Sequence, residues 1–308
     1  MKYVVTGAAG FIGSHLAEAL VAAGHDVTGV DSFTDYYDPV LKEENARGLE
    51  IVRADLAEDP LEALLAGADG IFHLAGQPGV RASFGAGFTD YLSRNLLASQ
   101  RLFEAAAPLG RRVVFASSSS VYGDAERYPT PEDTELHPIS PYGITKAACE
   151  HLVRAYTQRD RLDAVVLRYF TVYGPRQRPD MAFSRLVRAL ADASAFELYG
   201  DGTISRGFTY VDDVVAATVA AMERGKAGAV YNVGGGSEAT MNEAIGVLER
   251  VAGRRLEVIR RAPVAGDPRR TAADTASART ALHWRSHVDL ESGLRAQWEW
   301  ATSRVAAR

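Results

Sequence analysis

Residues 2–13 read Lys2-Tyr3-Val4-Val5-Thr6-Gly7-Ala8-Ala9-Gly10-Phe11-Ile12-Gly13. A short apolar run enters three evenly spaced glycines, and an amphipathic run leaves them. The pattern predicts a strand over 2–5, a tight turn, and a helix over 10–23. Each glycine then has a separate task. Gly7 permits the turn, Gly10 lets a pyrophosphate approach the backbone, and Gly13 lets helix and strand pack closely. The first turn of the helix, with Phe11 and Ile12, presents N–H groups and the positive end of the helix dipole to an anion.

Working outward, a second strand over 27–30 ends at Asp31. A carboxylate there accepts from both hydroxyls of an adenosine ribose and repels a 2′-phosphate, which selects NAD over NADP. The strand over 50–52 leads to Asp55 and Leu56, expected at the adenine edge. The strand over 70–73 runs into Leu74, Ala75 and Gly76, whose small profile lets backbone lie along the cofactor. His73 is expected to be a structural residue at that strand end. Further strands over 113–116 and 164–168 alternate with helices over 91–107 and 141–158. Alternation of this kind predicts an α/β fold, a doubly wound parallel sheet with helices on both faces.

After about Thr171 the periodicity breaks at Pro175, Arg176, Arg178 and Pro179. The chain is therefore divided into a Rossmann domain, 1–170 with a returning segment about 208–234, and a smaller α/β substrate lobe, 171–207 and 235–308. A length of 308 residues suits two lobes. Lys plus Arg total 34 against 39 Asp plus Glu, a net charge of −5, which disfavours wrapping nucleic acid. An anionic substrate must then be met by local arginines. The single cysteine, Cys149, cannot form an internal disulfide and reads as a buried apolar group on a helix. No signal-peptide core or membrane-length apolar run is present, so a cytoplasmic protein without a membrane partner is expected. No metal site is expected.

The chemistry is carried by two elements. Tyr142 and Lys146 lie one helical turn apart behind Pro141, which suits a helix start. A phenol is a poor base at neutral pH, and a neighbouring ammonium favours its phenolate. Such a pair can remove a hydroxyl proton while hydride leaves the same carbon. Upstream, Val113-Val114-Phe115-Ala116-Ser117-Ser118-Ser119-Ser120 is a buried strand ending in hydroxyls. Ser118 and Ser120 can hold a sugar hydroxyl and relay its proton.

With these motifs the chain resembles the extended short-chain dehydrogenase/reductase family, the NAD-dependent epimerases and dehydratases. The likeness extends through Arg168-Tyr169-Phe170, Arg206-Gly207-Phe208-Thr209-Tyr210 and Tyr231-Asn232-Val233-Gly234. It implies a Rossmann lobe holding NAD, a C-terminal lobe for a nucleotide-sugar, and a homodimer built on the helices over 91–107 and 141–158. It also places Asn95, Ser117 and Tyr169 beside the cofactor. Within the family the chain is most similar to UDP-glucuronate 4-epimerases, through Asp35-Tyr36-Tyr37-Asp38, Gln77-Pro78-Gly79-Val80-Arg81 and Arg178-Pro179-Asp180-Met181-Ala182. That similarity implies a substrate site of Gln77, Arg81, Thr171, Arg178, Met181, Ala182, Arg206 and Asp267. In it Arg178 clamps the sugar carboxylate, Thr171 faces the sugar or phosphate, Arg206 meets the pyrophosphate and Asp267 reaches the uridine ribose. Related dehydratases and decarboxylases carry acids where this chain has Ser119 and Ser120, which demotes elimination and decarboxylation. Epimerisation of UDP-glucuronate at carbon 4 is the leading expectation. A neutral UDP-hexose 4-epimerase, or an epimerase making an antibiotic sugar, is the alternative. A regulatory NAD-binding protein without chemistry is a third reading, disfavoured by the intact Tyr142, Lys146 and serines.

Overall fold

The computed structural model describes residues 1–262, 268 and 270–306. The first part runs β1 (Lys2–Thr6), α1 (Phe11–Ala22), β2 (Asp26–Asp31), α2 (Pro39–Asn45), β3 (Glu50–Arg53), α3 (Glu62–Leu65) and β4 (Gly70–His73). It continues with α4 (Phe88–Tyr91), α5 (Ala98–Ala106), β5 (Arg112–Ser118), α6 (Pro141–Asp160) and β6 (Ala164–Tyr169). After it come β7 (Thr171–Tyr173), α7 (Ala182–Ala191), β8 (Phe196–Tyr199), β9 (Ser205–Tyr210), α8 (Val211–Arg224) and β10 (Val230–Val233). The chain ends with β11 (Ser237–Thr240), α9 (Met241–Ala252), β12 (Val258–Arg261), β13 (Arg270–Thr271), α10 (Ala276–Ala281) and α11 (Leu290–Ala306).

Seven of these strands form one sheet in the order β3-β2-β1-β4-β5-β6-β10. Every pairing in it is parallel. Side chains alternate between two cores. Val5, Phe72, Val114 and Leu167 point to the face covered by α1 and α8. Val4, Ile71, Val113, Phe115 and Val166 point to the face that holds Leu102 and Phe103 of α5 and Cys149 and Val153 of α6. Burial on both faces is why these strands read as unbroken apolar runs. The strand order reverses between β1 and β4, and the crevice outside the carboxyl ends of the strands at that point is where such sheets take their ligands.

At Thr171 the chain leaves this sheet. It builds a four-stranded sheet from β7, β9, β11 and β13 and a two-stranded one from β8 and β12. Between these it returns, so that α8 packs on α1 and β10 completes the large sheet beside β6. Helices α7, α9 and α11 pack together over the smaller sheets. The capping box of Thr240 and Glu243 starts α9.

The helix expected over 91–107 is present but is not α-helical throughout. A π-helical turn, Leu92–Leu97, separates α4 from α5. The wider turn directs the fully buried Asn95 toward α6, where its amide donates to Thr145 Oγ1 at 3.1 Å. No helix among the described residues is long and apolar enough to cross a membrane.

Candidate active site

A cleft of about 430 Å³ opens along the carboxyl edge of the large sheet. Its floor is the glycine turn. Gly7 takes a φ of +71°, which side-chain-bearing residues rarely adopt. A Cβ on Gly13 would lie 2.0 Å from the Gly7 carbonyl oxygen, so that position admits only glycine. Helix α1 starts at Gly10 with no side-chain cap, which leaves its first N–H groups to meet an anion. Asp31 ends β2 in the same cleft and accepts from Ala9 N at 3.1 Å and Phe33 N at 2.8 Å. Asp55, Leu56, Leu74, Ala75 and Gly76 line it as well. These residues fit a dinucleotide, with its phosphates on α1 and a ribose at Asp31.

His73 is the structural residue expected. Its two ring nitrogens meet Thr6 Oγ1 at 2.8 Å and Ser99 Oγ at 3.0 Å in a fully buried setting. Burial, with some help from the Lys146 charge, pushes its pKa down to about 3. The neutral ring braces the strand end below Leu74.

Tyr142, Lys146, Ser117, Ser118 and Ser120 line the same cleft. Ser140 caps α6 by accepting from Gly143 N at 3.1 Å, and Pro141 occupies its first position. The first turn therefore fixes the backbone that carries Tyr142. Lys146 is buried, and its ammonium donates to the Ala116 carbonyl at 2.9 Å. That bond uses one of its three protons and ties α6 to β5. Ser118 Oγ donates to Ser120 Oγ at 3.2 Å. Beneath them Ser117 Oγ donates to Glu150 Oε1 at 2.5 Å, and Glu150 forms a buried ion pair with Arg168 at 2.7 Å.

On the facing wall lie Thr171, Arg178, Met181, Gln77 and Pro78, together with Tyr36, Tyr37, Lys42 and Arg94. Arg178 already holds a carboxylate. Its Nε and Nη2 both donate to Asp180, each at 3.0 Å. Tyr91 Oη lies 2.7 Å from the carbonyl oxygens of both Pro78 and Gly79, shares its one proton with them, and so fixes this loop. Gly79 stands at φ +102°, and a Cβ there would meet the Tyr36 hydroxyl at 2.3 Å.

Residues 3–234 match the NAD dependent epimerase/dehydratase family. The chain belongs to that family. A Bacillus subtilis (strain 168) protein named as an uncharacterized UDP-glucose epimerase, YtcB, is 41% identical over 96% of both chains. The solved UDP-glucuronic acid 4-epimerase of Bacillus cereus, in complex with UDP-glucuronic acid and NAD, superposes with a TM-score of 0.95. It is 39% identical and covers 99% of this chain and 100% of its own. MoeE5 has been solved both with UDP-glucuronic acid and NAD and with UDP-glucose and NAD. Both structures have a TM-score of 0.90, at 42% and 41% identity, over 99% of this chain and 100% of theirs.

Four of the residues expected in the site of this epimerase-family chain lie outside the cleft wall. Asn95 stands behind it, where its amide donates to Gln77 O at 3.1 Å and accepts from Gln77 N at 2.7 Å. It shapes the loop that borders the cleft. Arg81 stacks on the Tyr199 ring at 5.3 Å. Arg206 donates to the carbonyls of Ser205 at 3.0 Å and Pro268 at 2.6 Å. Ala182 begins α7 one residue beyond the wall. Asp267 lies outside the described residues. Tyr169 lines the cleft, but its hydroxyl meets Thr218 Oγ1 at 2.6 Å toward α8. Sequence reasoning missed Arg94 and Glu150. Each is a charged residue on a helical segment, which reads as a solvated face. Arg94 donates to Gln77 Oε1 at 2.9 Å inside the cleft.

Proposed function

We propose that this protein is an NAD-dependent UDP-glucuronate 4-epimerase, interconverting UDP-glucuronate and UDP-galacturonate through a 4-keto sugar. One observation carries the reading. A glycine turn, a Tyr142/Lys146 pair with serine hydroxyls, and a guanidinium at Arg178 share one cleft. Relatives solved with UDP-glucuronic acid and NAD support it.

Gly7, Gly10, Gly13 and Asp31 would hold NAD, which would supply a reversible hydride acceptor for carbon 4. Tyr142 accepts the proton of the carbon 4 hydroxyl as the ketone forms, and gives it back as the alcohol reforms. Lys146, held on the Ala116 carbonyl, keeps a positive charge beside that phenol. Ser118 and Ser120 hold the oxygen at carbon 4 and steady the ring while its other face is presented. The 4-keto sugar is a β-keto acid, so its carboxylate must be kept from aligning with the carbonyl π system. Arg178 is assigned that hold, since a guanidinium grips a carboxylate and keeps its charge stabilised. Thr171, Gln77 and Met181 form the surrounding wall, and Arg206 and Asp267 are assigned to the UDP portion. The smaller lobe, from Thr171 onward without α8 and β10, is assigned to the nucleotide-sugar. A neutral UDP-hexose is the second reading. The pairing of Arg178 with Asp180 favours it.

The reading extends to assembly. Leu92, Leu97 and Ile144 are 40%, 46% and 52% exposed on the adjoining π-helical turn and α6, a placement that suits a homodimer built on these segments.

Purified protein is incubated with UDP-glucuronate, UDP-glucose and UDP-galacturonate, and the nucleotide-sugars are separated. The dinucleotide released on denaturation is identified in parallel. UDP-galacturonate from UDP-glucuronate, with NAD released, is expected. No interconversion of any UDP-sugar, or NADP as the main dinucleotide, overturns the proposal.

A further inference from the structure

Arg178 is the guanidinium that faces the sugar in the reading above, on which the following rests. A carboxylate of the protein's own already sits on one of its edges. Nε and Nη2 reach the two oxygens of Asp180 at 3.0 Å each, a two-point fork. The Arg178 side chain is 17% exposed and that of Asp180 41%, so the pair stands at the mouth of the cleft with the anion on the wetter side. Tyr36 closes the arrangement. Its hydroxyl donates to Asp180 Oδ2 at 3.5 Å, and the Arg178 guanidinium lies 5.9 Å from its ring centre. Gly79 leaves the space that the Tyr36 hydroxyl occupies. Burial works against the Arg178 charge, but Asp180 more than offsets this and holds its pKa above the ordinary range.

Two consequences follow from the donor count. A guanidinium has five N–H groups, and the fork with Asp180 uses two. The N–H groups outside the fork are the ones a ligand carboxylate or hydroxyl would meet. The pair as a whole carries no net charge. A uronate entering here gains the attraction of Arg178 and meets the repulsion of Asp180 a few ångströms further out. A neutral sugar alcohol meets a preset hydrogen-bond donor whose charge is already paired. Without Asp180 the same donor would carry a full positive charge and favour the acid more strongly.

We propose that Asp180 is a specificity-setting residue: it neutralises Arg178 and thereby narrows the cleft's preference for a uronate over a neutral hexose. Its removal from a partly exposed position is expected to change discrimination by about tenfold, the factor that 1.4 kcal/mol represents.

The test compares the wild-type holoenzyme with Asp180→Asn and Asp180→Glu. Asparagine keeps an acceptor for Arg178 and removes the charge, whereas glutamate keeps the charge. For each protein, kcat and KM are measured with UDP-glucuronate and UDP-glucose, and the Kd of each sugar is measured by calorimetry at low and high salt. Asp180→Asn is expected to raise the uronate-to-hexose ratio of kcat/KM and of affinity about tenfold. The gain should sit in KM and Kd, shrink at high salt, and be absent in Asp180→Glu. An unchanged ratio, or an equal loss with both sugars, overturns the role. Turnover of neither sugar by the wild type overturns the epimerase reading instead, and the binding ratio still decides Asp180. If neither sugar binds, both fail.

Discussion

At the scale of single residues, the proposed reaction rests on groups that the fold holds in place. Tyr142 is the base in the proposed reaction, and Tyr142→Phe keeps the ring that meets Tyr91 edge-on at 6.2 Å. Turnover is expected to fall about 100- to 10,000-fold while NAD binding and the melting temperature stay near wild type. Near-normal turnover would remove Tyr142 from its role. His73 gives the fold a pH dependence. Its pKa is about 3 folded against an ordinary 6.5, so between these values the unfolded chain binds the extra proton. Its contribution is therefore fully present above about pH 6.5 and is lost as pH falls toward 3. By pH 5 the loss is about 2 kcal/mol. Urea titrations at pH 7 and pH 5 should show that loss in the wild type and a smaller one in His73→Gln. Equal losses in both would refute it. Several of these residues could be named from the sequence. Glycines at 7, 10 and 13, Asp31 at a strand end, and Tyr142 with Lys146 each have a local pattern. Glu150 has none, because its partner Arg168 is a strand away, and Asp180 stands inside a quoted motif but its fork with Arg178 is set by the loop's shape.

At the scale of elements, α6 does more than carry the Tyr142/Lys146 pair. One turn below Lys146 it contributes Glu150, which links Ser117 of β5 to Arg168 of β6. Arg168 also donates to the Tyr122 hydroxyl at 2.7 Å, and that hydroxyl donates to Asn232 at 2.7 Å. Removing one partner of a buried pair leaves the other charge uncompensated. Glu150→Gln is therefore expected to cost about 3–5 kcal/mol of stability by chemical denaturation. A loss below about 1 kcal/mol, the range of a surface pair, would show that the pair is not buried in solution. Strands β1 to β6 and the spans of α1 and α6 were legible because apolar periodicity is local. The break at Leu92–Leu97 was not. A π-turn shifts the register of a helix that otherwise keeps its apolar pattern, and what holds it is the contact of Asn95 with Gln77 and Thr145.

At the scale of the whole molecule, exposed Leu92, Leu97 and Ile144 on neighbouring segments motivate the proposed homodimer. Light scattering at micromolar concentration should report twice the chain mass of 33.2 kDa, and Leu97→Glu should shift it toward the single chain. A monomeric wild type would refute this. The sequence revealed that the chain returns to the first sheet. The detailed route of the small lobe stayed hidden, because its short strands pair across long separations, as β7 and β11 do with β9. That return has a consequence for synthesis. When a nascent chain has left the ribosome as far as Tyr169, β6 is the open edge of the sheet, and the face that α8 will cover is bare. The missing pieces, α8 and β10, lie up to roughly 60 residues further on. At roughly 5–20 residues per second they arrive some 3–12 s later. For that interval the growing polypeptide exposes an apolar edge to other chains, and a message truncated after β6 would leave it exposed for good.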